Sequence, residues 1–120
     1  MSVRAIRGAT QVEANTTDSI SKGVRELLSE ILNSNRLNPS DVISVLFTAS
    51  PDLNATFPAA AAREVGFESV PLICAVEIDV PGALDRTVRV MLHVETALSG
   101  SEISHIYLHG AKSLRRDIAQ

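Results

Sequence analysis

Residues 87–95 read TVRVMLHVE, a stretch in which apolar and polar side chains alternate with Met91 as the one exception. A period of two places Val88, Val90, Leu92 and Val94 on one face of a β-strand and Arg89, Met91, His93 and Glu95 on the other. A helix would scatter both sets around its axis, so this stretch commits the chain to a sheet with one apolar face. The other face, with Arg89, Met91 and His93, is neither cleanly apolar nor cleanly solvated. Such a face calls for a second subunit or a ligand.

The neighbouring patterns complete an α/β chain. Residues 3–10 predict a first strand with Val3, Ala5 and Arg7 on one face. Thr16, Thr17 and Asp18 offer N-caps for a helix whose apolar residues recur at Ile20, Val24, Leu27, Leu28, Ile31 and Leu32. Lys22, Arg25, Glu26 and Glu30 occupy its opposite face, and Asn33-Ser34-Asn35 stops it. Residues 42–49 (VISVLFTA) are nearly all apolar, as a central buried strand requires. Pro58 can open a short helix over residues 59–65, with Gly66 as its stop. Residues 71–79 (PLICAVEID) predict a third strand, and Pro81-Gly82 a turn before the fourth. Residues 105–109 (HIYLH) predict a short fifth strand with His105, Tyr107 and His109 on one face. The order β-α-β-α-β-β-β makes an α/β sandwich: a mixed five-stranded sheet with two helices on one face.

With 120 residues there is room for one domain, residues 1–120, and no repeat or linker divides it. The formal charge of −3 argues against a nucleic-acid partner, and 3% aromatic content with no Trp leaves few rings for a stacking platform. No apolar stretch approaches the roughly 20 residues of a spanning helix. Arg4 and Arg7 interrupt the region where a signal peptide needs its apolar segment. A single Cys precludes an intrachain disulfide and fits a reducing compartment. A cytoplasmic protein, without membrane or nucleic-acid partners, is expected.

Nine Arg stand against only two Lys, Lys22 and Lys112, a bias toward the planar fork that grips carboxylates in two places. Cys74 has no nearby His or second Cys to activate it, so an inert buried thiol is favoured over a nucleophile. His93, His105 and His109 do not make a zinc set, and no metal is expected. Neither a Gly-rich phosphate loop nor a nucleophile elbow is present. What remains is Arg7, Glu77, Arg89 and Tyr107, each within an apolar strand pattern. A charge in that position needs a partner, water or a ligand. Glu77 can pair with Arg7 or Arg89, but one acid cannot neutralise two arginines. The surplus positive charge suits a small mono- or dicarboxylate. The reaction, if any, stays open at this point.

The segments RAIRGAT, FTASPDLNATFPAAAAREVG, VPLICAVEIDVPGAL, RVM and HIYLHGAKSLRRDI resemble, in one register from about Val3 to Asp117, the chorismate mutases of the trimeric α/β (AroH) class. The resemblance implies a homotrimeric pseudo-α/β-barrel with active sites between adjacent subunits, and conversion of chorismate to prephenate in aromatic amino-acid (Phe/Tyr) biosynthesis. It also implies roles. Arg89 would contact the ether oxygen and a carboxylate, and Glu77 would hold the ring hydroxyl with Cys74 beside it. Arg7 and Tyr107 would bind carboxylate. Phe57 and Arg63 would come from the neighbouring subunit, Ala59 and Ile73 would line the pocket, and Leu114 with Arg115 would cover it.

Two positions depart from that pattern: Ala60 stands where members often have Lys, and Ile73 where they often have Thr. The segment from Arg63 to Pro71 is also one residue shorter. One tension is internal, since Cys74 and Glu77 are three apart and a flat strand sends them to opposite faces unless a bulge intervenes. A [3,3] rearrangement needs no nucleophile, metal or cofactor, which fits the residues found. A non-catalytic trimeric carboxylate sensor and a small trimeric imine deaminase are the competing classes; Arg89 together with Glu77 favours the mutase.

Overall fold

A computed structural model describes residues 1–114 of the chain. Its strands are β1 (Ser2–Gln11), β2 (Val42–Ala49), β3 (Leu72–Val76), β4 (Thr87–Thr96) and β5 (Ile106–Leu108), and its helices are α1 (Thr17–Ser34) and α2 (Pro58–Ala62). They form one mixed sheet of order β3-β2-β4-β1-β5. β4 runs antiparallel to both β1 and β2, while β1/β5 and β2/β3 are parallel pairs. The element order and the five-stranded sheet match the sequence expectation.

The alternation in β4 decides which face is covered. Val88, Val90, Leu92 and Val94 are buried against Ile20, Val24, Leu27, Leu28 and Ile31 of α1 and the alanines of α2, in a single aliphatic core. Thr16 caps α1, its Oγ1 accepting from the Ser19 amide at 3.1 Å. At the other end, the buried Asn35 amide donates to the carbonyls of Ile31 and Ser104, and its Oδ1 accepts from the Ser104 amide. That ties the end of α1 to the segment leading into β5.

Three expected boundaries shift, each for a local reason. α2 stops at Ala62 rather than Val65, because Val65 and Gly66 leave helical geometry so that Phe67 can enter the core. Gly66 sits at φ +101°, a conformation open to glycine. β3 ends at Val76, not Asp79: its sheet neighbour, β2, ends at Ala49, whose carbonyl takes the Glu77 amide as the last rung at 2.9 Å. β5 keeps three residues, and the expected sharing of one face by His105, Tyr107 and His109 fails. His105 precedes the strand and its Nδ1 accepts from the Arg7 amide, while His109 turns away at φ +55°.

The second face of the sheet is open over most of its area. The pairing sets its rungs: Ala75, Thr48, Arg89, Ala9 and Tyr107 lie in one row, and Ile73, Leu46, Met91 and Arg7 in the next. Among the described residues one corner is covered, where the 3-10 turn His109–Ser113 places Ala111 against Ala9 and Tyr107, with Leu84 and Leu114 alongside.

Candidate active site

The row through Arg89 carries one of the charged residues that the sequence singled out, and Glu77, just past the end of β3, reaches it. Thr48 Oγ1 donates to Glu77 Oε2 at 2.6 Å, and Arg89 Nε lies 3.8 Å from the same oxygen. The short bond holds the carboxylate; the longer contact is a loose ion pair. With Arg89 47% and Glu77 33% exposed, that pair contributes less than about 1 kcal/mol. Little is therefore lost when the guanidinium turns to a ligand. Its terminal nitrogens remain as donors, and Glu77 Oε1 remains as an acceptor.

A cleft of about 650 Å³ opens over this pair, lined among others by Ser50, Leu84, Asp85, Thr87 and Leu114. Its rim is braced at the start of β4. Ser50 and Thr87 exchange bonds, with Thr87 N donating to Ser50 Oγ and Ser50 N to Thr87 O. Asp52 Oδ2 accepts from the Arg86 amide at 2.9 Å. Partial burial pushes the Asp52 carboxyl up, but bonds from Ser50 and from the backbone amides of Arg86 and Asp52, with the Arg86 charge, outweigh it. The net shift is downward, so this brace stays ionised at neutral pH.

Arg7 lies one rung away on the same open face, half-buried, and no carboxylate among the described residues forms an ion pair with it. The surplus positive charge inferred from the sequence is thus present. Tyr107 is on the Arg89 row but nearly buried under the corner cluster, and Leu114 lines the cleft itself. Arg115 lies outside the described residues.

The remaining expected residues sit elsewhere. Cys74 is opposite Phe47 on the helix side of the sheet and packs against the core, so it is not beside Glu77. The bulge that would have joined them is absent from β3; the register shift in this region falls in β2, between Val42 and Ser44. Cys74 instead shares a second cleft, of about 400 Å³, with Leu53, Phe57, Pro58 and Val76. Ala59 has its side chain in the core and offers a ligand no more than backbone. Phe57, Arg63 and Ile73 are exposed, away from the Arg89 cleft. Thr48 was missed by the sequence reading. The signal lay in the pairing of β2 with β4, which one strand pattern cannot disclose.

Arginines and a held carboxylate on an open sheet face mark this chain as an α/β domain with one mixed five-stranded sheet covered by helices on one side. The comparisons specify the family. The model of the family "Chorismate mutase type I" matches residues 3–118. The chain is 42% identical over 120 residues to chorismate mutase AroH of Bacillus subtilis, covering 99% of this chain and 94% of the relative. It is 41% identical over 117 residues to chorismate mutase AroH of Thermus thermophilus, covering 97% and 96%. A solved chorismate mutase from Clostridium thermocellum superposes with a TM-score of 0.90 at 49% identity, covering 92% of this chain and 98% of that one. The chain belongs to the type I chorismate mutase family, and its activity is that of a chorismate mutase, an isomerase.

Proposed function

We propose that the cleft over Glu77 and Arg89 carries out the [3,3] rearrangement of chorismate to prephenate, with its subunit pocket completed in a homotrimer. The carrying observation is the Arg89 guanidinium beside a carboxylate that Thr48 already holds at 2.6 Å. The rearrangement needs the extended enolpyruvyl ether folded into a compact chair, and stabilisation of the negative charge that develops on the ether oxygen. Arg7 and Tyr107 bind carboxylate and fix the fold of the substrate. Arg89 directs one donor to a carboxylate and another to the ether oxygen. Glu77 is an ionised acceptor for the ring hydroxyl and moves no proton in the reaction.

Magnitudes make so small a set of residues sufficient. An acceleration of about 10⁶-fold corresponds to about 8 kcal/mol. One preorganised donor aimed at developing charge contributes about 3 kcal/mol, and orientation of a flexible reactant supplies the balance. An ultraviolet assay should show chorismate loss matched by prephenate formation, and the rate should survive exhaustive dialysis against EDTA. Activity lost on chelation and restored by zinc would overturn the cofactor-free mechanism; no turnover at all would overturn the assignment.

The homotrimer rests on what one chain leaves open. Phe57 is 72% and Ile78 is 78% exposed, and Ile73, Val76 and Val80 extend the apolar surface along and beyond edge strand β3. The Phe57–Cys74 cleft and the Arg89 cleft are separate within one chain, so adjacent subunits bring Phe57, Arg63 and Ile73 to the Arg89 cleft of a neighbour. Light scattering at micromolar concentration should give three chain masses; a fully active monomer rules the arrangement out. No helix among the described residues is long and apolar enough to cross a membrane. A cytoplasmic location is part of the same reading.

A further inference from the structure

The turn His109–Ser113 connects two residues of the proposed site, Tyr107 before it and Leu114 after it. β5 does little to hold that turn, since it is three residues long and, among the described residues, pairs with β1 alone. Other contacts hold it. His109 adopts φ +55°, a left-handed conformation that persists at a non-glycine residue only where its surroundings enforce it. Its Nε2 lies 2.6 Å from Glu26 Oε1 on α1, across the edge of the sheet. Gly110 then seats directly on Gln11: a Cβ at position 110 would overlap Gln11 Oε1. Gln11 Nε2 in turn donates to the carbonyl and carboxylate of Asp85, a residue of the cleft wall. Ser113 Oγ closes the turn on the Gly110 carbonyl at 3.0 Å, and Ala111 is wholly buried beside Tyr107.

We infer that the His109–Glu26 bond is a clamp that positions Tyr107 and Leu114 against the substrate, which makes both its members positioning residues for the reaction. The inference rests on the proposed active site. The clamp touches neither Arg89, on β4, nor Glu77, just past the end of β3. Its loss therefore loosens substrate binding and leaves the charge-stabilising donor in place. The effect should fall on KM.

The test is steady-state kinetics on chorismate, with melting temperatures, for His109→Gly, Glu26→Ala, the double variant and His109→Gln. Glycine accepts the left-handed backbone, so His109→Gly removes the bond without adding strain. An exposed charged hydrogen bond of this kind predicts a KM rise of about three- to fivefold for each single variant, with kcat within about twofold. The double variant should be no worse than either single one, because both remove the same bond. Glutamine at 109 keeps a donor near Glu26 and should recover much of the wild-type KM. Lower melting temperatures with unchanged KM would reduce the bond to a structural role and overturn the clamp. So would additive losses in the double variant, or a fall in kcat alone. A wild-type chain that does not turn over chorismate would instead sink the site assignment beneath it, and the clamp with it.

Discussion

Replacement of Arg89 by lysine should lower kcat about 10²-fold or more, the cost of removing one preorganised donor from a developing charge. Lysine keeps the charge and roughly the reach, so a pocket that only bound anions would show a raised KM and nearly normal turnover. The rearrangement demands more. In the proposed mechanism Arg89 serves a carboxylate and the ether oxygen together from one rigid fork, and an ammonium on a flexible stem aligns with one at the expense of the other. Melting temperature should barely move, because the Arg89–Glu77 contact is loose at 3.8 Å and half exposed. Arg4→Lys is the control. Arg4 is opposite Val94 on the helix side of the sheet, where its Nε donates to the Leu98 carbonyl at 3.3 Å. It should leave kcat unchanged. Near-normal kcat in Arg89→Lys would end the electrostatic assignment and favour a carboxylate sensor.

Mixing two inactive variants, Arg63→Ala and Arg89→Ala, should restore activity to about a quarter of the wild-type rate if sites form between subunits and chains assort at random. The arithmetic follows from the geometry. Arg63 follows α2, which packs on the helix side of the sheet, whereas Arg89 lies on the open face. A site drawing one residue from each of two neighbours is intact when the chain supplying Arg89 carries the Arg63 lesion and its neighbour the reverse. Each condition holds half the time. If both residues served one site within a single chain, no mixture could exceed its parents, and the subunit-shared pocket would be abandoned. Unfolding and refolding the chains together ensures exchange.

The sheet and its covered face were legible because burial imposes a period that a sequence displays directly. Val88, Val90, Leu92 and Val94 sit as the alternation requires, and the apolar stripe of α1 meets them. The charged and polar residues of the proposed site were legible for the opposite reason: Arg7, Glu77, Arg89 and Tyr107 are costly or unusual in apolar strand patterns. Pairing partners were not. Thr48 is an ordinary strand residue until the β2–β4 register sets it opposite Arg89 and within reach of Glu77. Cys74 does not lie beside Glu77 within one chain, because β3 is regular there and turns Cys74 toward the helix side, a register that one strand pattern does not disclose. His109 read as a strand residue, since neither its left-handed backbone nor its bond to Glu26, 83 positions away, is marked in the local pattern. Local pattern carries no trace of such a contact.

Arg89, Ala9 and Tyr107 occupy successive strands on a single rung. Adjacent strands lie about 4.8 Å apart, so the backbones bearing Arg89 and Tyr107 stand roughly 10 Å apart, with only a methyl group between them. That distance is a ruler graduated in hydrogen bonds. Loosening or repacking the aliphatic core behind the sheet cannot change it by a fraction of a strand; the ladder must hold or break. On the proposed site, selectivity for a substrate of one length becomes a property of the backbone, and drift among the core residues is free to proceed without disturbing it.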